Sequence, residues 1–433
     1  MKKTQKKKIV YVPMAVDILH EGHLNIINKA KLKGDVYVGL LTDKAIANYK
    51  SIPIISYEER YKIVENLKNV KKIIKQEDTN YTFILNKLKP DYFIHGDDWK
   101  NDNRKKIRAN VIKILKKNGG KFIEVKSTYD ISKNYNKKLE SSIFSIQSRV
   151  SILKRLINSK KLVRILEAHS PLAGLIIERL KIAKKNFIHE FDGIWSSSLT
   201  DSTLRGKPDD QSVDLSARFN GISEILDVTK KPIIFDADNG GRLEHISWTI
   251  KTLERLGVSA IMIEDKIGLK KNSLFKDQKN SELDSIKNFS DKIKVAVKAK
   301  SNADFCIIAR IESFILRKGL NDALLRANAY SKAGADLIMI HSNEKNPNEI
   351  FSFCKKFYSS EYYKPIVVVP TTYSKVKESE LIRNHVSIVI YANHLLRASY
   401  PAMYETAYRI LKCERSFDVE KKLSKVSEIL SLI

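Results

Sequence analysis

Two rhythms of apolar and polar positions run along the chain. Between residues 8 and 126, short apolar runs alternate with helical patterns. The runs are "KIVYVPMAV" (8–16), "DVYVGLLT" (35–42), "KKIIKQ" (71–76), "DYFIHGDD" (91–98) and "KFIEVK" (121–126). In "YEERYKIVENLKNV" (57–70), apolar residues recur at the spacing of a helix face. Alternation of this kind predicts an α/β domain, a parallel sheet with helices on both faces.

From residue 150 the period lengthens into eight further strand patterns, at 162–168, 193–199, 231–241, 258–266, 305–313, 335–343, 364–373 and 386–395. Helical stretches such as "RLEHISWTIKTLERLG" (242–257) and "NDALLRANAYSKAG" (321–334) separate them. Eight strand–helix units predict a (β/α)8 barrel. Between the two patterns, "STYDISKNYNKKLESSIFSIQS" (127–148) is rich in Ser, Asn and Lys. The organisation expected is a front domain over 1–135, a linker over 136–149 and a barrel over 150–433.

Composition narrows the class. No run of about 18 apolar residues exists, so no transmembrane helix is expected. The first residues are basic but carry Asp17 and no small-residue cleavage site, so the expectation is a cytoplasmic protein without a secretory signal. Cys306, Cys354 and Cys413 have neither metal-ligand nor disulfide spacing. The net charge is +28, and residues 1–150 hold 32 Lys and Arg against 16 Asp and Glu. Such a balance permits a nucleic-acid-binding module. No arginine-rich or aromatic–lysine motif adds to the charge, and the joint abundance of Lys, Asn and Ile is what biased base composition produces. Nucleic acid is therefore not an expected partner.

The chemistry gathers at the ends of the barrel strands. Asp236, Asp238, Glu264, Arg310 and His341 each stand at a strand's C-terminal end, and in a barrel those ends meet at one mouth. Three carboxylates together repel unless a cation offsets them. An all-oxygen donor set suits Mg²⁺. Cationic donors facing such a metal would hold a phosphorylated or carboxylated anion. One strand, "VSAIMI" (258–263), runs into an acid pair and then a lysine-rich loop, "EDKIGLKKNSLF" (264–275).

Seven stretches, "DGIWSSSLTDSTLRGKPD", "DADNGG", "EDKIGLKKNSLF", "IIARIES", "MIHS", "VVVPTTY" and "YANHLLRASYPAM", closely resemble the phosphoenolpyruvate mutase family of the isocitrate lyase superfamily, over about residues 150–412. The resemblance implies that phosphoenolpyruvate is rearranged to phosphonopyruvate, with a phosphoryl group moving from oxygen to C3. It implies Mg²⁺ on Asp236, assisted by Asp238 and Glu264. Backbone amides of Ser197, Ser198 and Leu199, under Trp195, would hold the substrate carboxylate. Asn272, Arg310 and His341 would hold the phosphoryl group, with Ser273 beside them. Asp209 matches the family's active-site aspartate, and Lys270 lies in a loop that closes over the site. Carbon–carbon lyases of the superfamily use a cysteine in that loop as an acid, and here the loop has none. Phosphonopyruvate hydrolase shares most of these groups and stays open as an alternative. Family members assemble as dimers or tetramers by exchanging a C-terminal helix, so a homodimer or homotetramer through the barrel is expected.

In the front domain, "DILHEGHLNII" (17–27) places His-x-Gly-His at the start of a helix after the first strand. Two imidazoles and the free N–H groups of a helix N-terminus can meet a triphosphate there. With "SYEERYKIVENLKNV" and "FIHGDDW", the stretch resembles the cytidylyltransferase family over about residues 8–135. The resemblance implies a Rossmann-like nucleotidyltransferase fold and CTP as a substrate, and the fusion to a mutase-like barrel makes a phosphonate the expected acceptor. His20 and His23 would stabilise the transferring phosphate. Asp17, Asp43, Arg60, Asp98 and Ser132 fall on family positions, and Lys50 would contact the triphosphate. The family's closing Arg-Thr-x-Gly-Ile-Ser-Thr-Thr motif reads "STYDISKN" (127–134) here, with Ser127 and Asp130 at the arginine and glycine positions. Both an active transferase and an inactive or nucleic-acid-binding module therefore remain open for this domain.

Overall fold

The computed structural model describes residues 7–100, 105–126, 146–184, 187–268, 270–275, 277–279 and 281–432. Ser132 and most of the expected linker lie outside them, as does the side chain of Asp98. The described residues fall into two compact units, with the division close to residue 148 and two short segments, 158–160 and 181–189, joining the front unit.

The front unit is built on five parallel strands: β1 (Ile9–Met14), β2 (Asp35–Leu41), β3 (Val70–Gln76), β4 (Tyr92–Gly96) and β5 (Lys121–Val125), in the order β3-β2-β1-β4-β5. The order reverses beside β1, and the helix Glu21–Lys31 leaves from that point. In open α/β sheets, ligands bind outside the strand ends at such a reversal. β1 is central and almost wholly buried, which is why its sequence reads as a continuous apolar run.

The second unit is a closed barrel of eight parallel strands: β6 (Val163–Glu167), β7 (Gly193–Ser196), β8 (Ile233–Asp236), β9 (Ala260–Glu264), β10 (Cys306–Ile311), β11 (Leu337–Ile340), β12 (Ile366–Val368) and β13 (Val386–Tyr391). These are the eight expected, though shorter. β8 stops at Asp236 because "DADNGG" turns away at once, with Asp238, Gly240 and Gly241 all at positive φ. In β9 and β10 every residue is buried. Their register sets Glu264 opposite Arg310, so the apolar packing of the barrel brings an acid and a base side by side at the mouth.

Beyond β9, Lys266–Ile267 pairs antiparallel with Glu282–Leu283. This short ladder anchors both ends of the loop that carries Lys270, Asn272 and Ser273.

Candidate active site at the barrel mouth

Asp236 closes β8, and its Oδ1 accepts from the backbone N–H of Asp238 at 3.1 Å. Its other oxygen accepts from Ser198 Oγ at 3.2 Å. Asp238 adopts φ 53°, a left-handed conformation that aspartate tolerates better than most residues. Its carbonyl accepts from Glu264 N at 2.8 Å, which binds the ends of β8 and β9 together. Ser197 caps the helix Ser198–Leu204, whose first-turn amides lack helical partners.

The loop reaches over these acids. Lys270 Nζ lies 2.8 Å from Asp209 Oδ1 and also meets Asp238 and Ser198 Oγ. Asn272 Nδ2 donates to the second Asp209 oxygen at 2.8 Å, while its Oδ1 accepts from Leu274 N at 3.0 Å. Two loop residues therefore clasp one carboxylate.

A second cluster surrounds Glu312. Its carboxylate accepts from Arg310 Nε at 2.5 Å and from Ser273 Oγ at 2.5 Å. Arg310 Nη2 donates to Ser273 Oγ and meets His341 Nδ1, both at 2.9 Å, and lies 3.4 Å from Glu264. Lys266 Nζ donates to Ser273 Oγ at 3.0 Å and lies 3.6 Å from Glu264.

Burial and charge set the protonation states. Burial opposes ionisation of Glu312, but Arg310 and His341 overcome it and hold the carboxyl well below the usual range. Burial pushes Glu264 up to about 7, against the pull of Arg310 and Lys266. Asp236 is buried too, yet Lys270 and Arg310 hold it low. Burial lowers the His341 pKa, reinforced by Arg310, so the ring is neutral. Lys270 stays protonated despite burial because Asp236, Asp238 and Asp209 surround it.

A cavity of about 60 Å³ lies among these groups. It is lined by Trp195, Ser197, Ser198, Leu199, Asp209, Asp236, Lys270, Asn272, Ser273, Arg310 and His341. Asp238 and Glu264 do not line it but touch residues that do. The structure thus brings every barrel residue singled out in the sequence to one mouth. The Lys270 ammonium sits among the acids, against Asp209 and Asp238. No group of three or more His, Cys, Asp and Glu among the described residues is placed to hold a metal ion. The donors themselves, Asp236, Asp238 and Glu264, are hard oxygens and fit a divalent cation such as Mg²⁺.

Sequence patterns missed Glu312, which follows Arg310 by two residues just past the end of β10 and accepts from it. That i, i+2 spacing was the available signal. They also missed Asn393, a buried cavity residue whose Oδ1 has no hydrogen-bond partner among the described residues.

In the front unit, His20 Nδ1 accepts from Gly22 N at 3.1 Å and caps the helix Glu21–Lys31. The His20 and His23 rings lie 4.0 Å apart. Burial, with His20 and Lys50 nearby, pushes His23 down to about 3. Asp17 Oδ1 accepts from Ile55 N at 3.1 Å, and Lys50 acts on it electrostatically. Asp17, His20, His23 and Lys50 thus form one group. Arg60 and Asp43 do not fit the expected nucleotide contacts. Arg60 is fully buried, donating to the carbonyls of Ala15, Leu41 and Ile55 and to Asp43 Oδ1 at 2.7 Å. That pair braces the fold, because three chain segments close on one guanidinium.

Taken together, the second unit is a (β/α)8 barrel whose mouth sets a carboxylate cluster beside an Arg–His–Ser group under a clasped loop. Residues 153–411 match the family model described as phosphoenolpyruvate phosphomutase, and the chain belongs to that family. Residues 15–132 match the cytidylyltransferase-like model. The phosphoenolpyruvate phosphomutase of Tetrahymena pyriformis is 38% identical over 292 residues, covering 67% of this chain and 93% of that protein. The phosphonopyruvate hydrolase of Variovorax sp. (strain Pal2) is 34% identical over 282 residues, covering 65% and 93%. Among solved structures, phosphoenolpyruvate phosphomutase from Streptomyces platensis subsp. rosaceus superposes with a TM-score of 0.60 at 33% identity, over 65% of this chain and 94% of that one. A phosphonopyruvate hydrolase solved with oxalate and Mg²⁺ superposes at 0.58 and 32% identity, over 66% and 94%.

Proposed function

We propose that the barrel converts phosphoenolpyruvate to 3-phosphonopyruvate, forming a carbon–phosphorus bond. The observation that carries this reading is the double clasp of Asp209 by Lys270 and Asn272. It closes a loop without a cysteine over a small cavity of about 60 Å³. A phosphoryl group passing between two atoms of one substrate needs positioning and charge stabilisation more than covalent chemistry, and it needs water kept away. Arg310, His341, Asn272 and Ser273 would hold the phosphoryl oxygens. The amides of Ser197–Leu199 would hold the carboxylate, and Asp209 would lie next to the migrating group. Asp236, Asp238 and Glu264 would hold Mg²⁺, which when bound supplies positive charge for the substrate's oxygens.

The test is phosphorus NMR of protein, Mg²⁺ and phosphoenolpyruvate, with phosphonopyruvate decarboxylase present to draw product away. A carbon–phosphorus resonance is expected, and its absence overturns the reading. The close likeness to a phosphonopyruvate hydrolase supports hydrolysis as the second reading. Under it, phosphonopyruvate alone would give pyruvate and phosphate.

For the front unit, the group formed by Asp17, His20, His23 and Lys50 supports CTP-dependent cytidylyl transfer to a phosphonate. Incubating CTP with a panel of phosphonates should release pyrophosphate, and no release across the panel overturns it. The proposal places both activities in the cytoplasm; no helix among the described residues is long and apolar enough to cross a membrane. A homodimer or homotetramer through the barrel completes the proposal.

A further inference from the structure

Arg218, on the helix Leu215–Val228, bears no motif yet reaches the acid cluster. It is 3% exposed. Its Nε donates to Asp201 Oδ2 at 2.9 Å, and its guanidinium carbon lies 4.3 Å from the Phe235 ring centre. Nη1 stands 3.7 Å from Asp238 Oδ2, beyond hydrogen-bond range. Neither Nη1 nor Nη2 has a hydrogen-bond partner among the described residues. A buried donor left unpaired is costly, so this edge of the guanidinium is set to receive an acceptor.

Two features show which acceptor. Asp238 Oδ1 is engaged by Lys270, so its carboxylate is turned toward the loop. Asp201, the partner on the other side, also accepts from Ser196 Oγ at 3.3 Å, at the end of β7 just ahead of Ser197 and Ser198. Arg218 therefore links the strand end beside the anion-binding amides to the acid cluster. Lys270 stands on a loop, so its hold on the acids depends on where the loop sits. Arg218 stands on a helix and remains.

We infer that Arg218 is a positioning residue for the divalent-cation site: when Lys270 withdraws, its free edge takes Asp238 Oδ2 and leaves the other oxygen facing the cation. This rests on the reading that Asp236, Asp238 and Glu264 hold such a cation. Arg218 touches neither cation nor substrate and acts through Asp238. With Lys270 withdrawn, Arg218 is the positive group of this pair that stays beside Asp238.

The test uses the full chain and Mn²⁺ alone as probe, followed by electron paramagnetic resonance, alongside thermal melting. Arg218→Met combined with Asp201→Asn removes both partners of the buried pair, so no charge is stranded. The double variant should melt within a few degrees of wild type yet bind Mn²⁺ about tenfold more weakly, the low end of what outer-shell partners typically contribute. Arg218→Lys keeps the charge and loses the fork. It should melt like wild type and bind Mn²⁺ severalfold more weakly, and in turnover assays it should raise the KM for Mg²⁺ more than it lowers kcat. If wild type binds Mn²⁺ and either folded variant binds it equally well, the inference is overturned alone. If wild type binds none, the cation reading falls and takes the inference with it.

Discussion

Lys270 Nζ lies 2.8 Å from Asp209 Oδ1, and the same ammonium reaches Asp238. The loop is thus held shut by a cation that belongs to the protein. A divalent ion approaching Asp236 and Asp238 has to displace it. Lys270→Met keeps the length of the side chain and removes the competitor. Ligand-free protein carrying this change should bind Mn²⁺ about tenfold more tightly, equivalent to about 1.4 kcal/mol. Turnover should fall about a hundredfold, because Asp209 loses one arm of its clasp. Titration by electron paramagnetic resonance and product formation by phosphorus NMR check the two halves separately. Weaker Mn²⁺ binding would show that Lys270 supports the acid cluster rather than competing within it.

Arg60 makes a different kind of statement about the front unit. Its donors are spent on Ala15, Leu41, Ile55 and Asp43, leaving it a structural brace. Arg60→Met removes the donors that the carbonyls of Ala15, Leu41 and Ile55 and the Asp43 carboxylate accept from, and should destabilise the front unit by about 3–5 kcal/mol. Adding Asp43→Asn should recover part of that loss. Hydrogen exchange at the amides of β1 and β2 in the full chain is the measurement. Unchanged protection in the single variant, with CTP binding lost, would return Arg60 to the nucleotide.

His23 gives the front unit a pH dependence. Burial, helped by His20 and Lys50, puts its folded pKa at about 3. An unfolded histidine titrates near 6.5. Below that value the unfolded chain binds the proton first, so protonation favours unfolding. The contribution is complete above about pH 6.5, shrinks as the pH falls and reaches its limit near pH 3. His23→Gln should flatten this part of the profile in denaturant melts between pH 7 and 4. An identical slope in wild type and variant would show that His23 titrates freely.

The barrel was legible because parallel strands buried on both faces must be written as apolar runs, and β9, with Ala260 to Glu264 all buried, is such a run. The mouth was legible because polar residues at strand ends stand out against those runs, as Asp236 and Arg310 do. What stayed hidden was pairing at a distance. Arg218 and Asp238 come from separate elements, and no local period links them. Arg60 was read as a nucleotide contact because it falls on a position of the family the stretch resembles, and a helix pattern does not reveal that it is buried. The insertion of Lys270 among the acids depends on how the loop folds back over the mouth. Its letters show charge and small residues but not where the charge lands.

The C-terminal helix His394–Cys413 leads to the last expectation. It is 20 residues long and buries none of them in the single chain. Tyr400, Met403, Tyr404, Tyr408 and Leu411 are all exposed, Leu411 at 82%. Spacings of three and four place them on one face, so an apolar stripe stands uncovered. Most helical stability in proteins comes from packing such a face. A stripe of this extent is the kind of surface a second copy covers. Light scattering with size-exclusion chromatography should give a dimer or tetramer. Tyr404→Glu with Leu411→Glu should yield monomer and lower the melting temperature. Because both side chains are exposed in the single chain, the substitutions break little packing within it, so dissociation rather than misfolding is the expected result. A wild-type protein that elutes as monomer at micromolar concentration would show that the helix is covered in some other way.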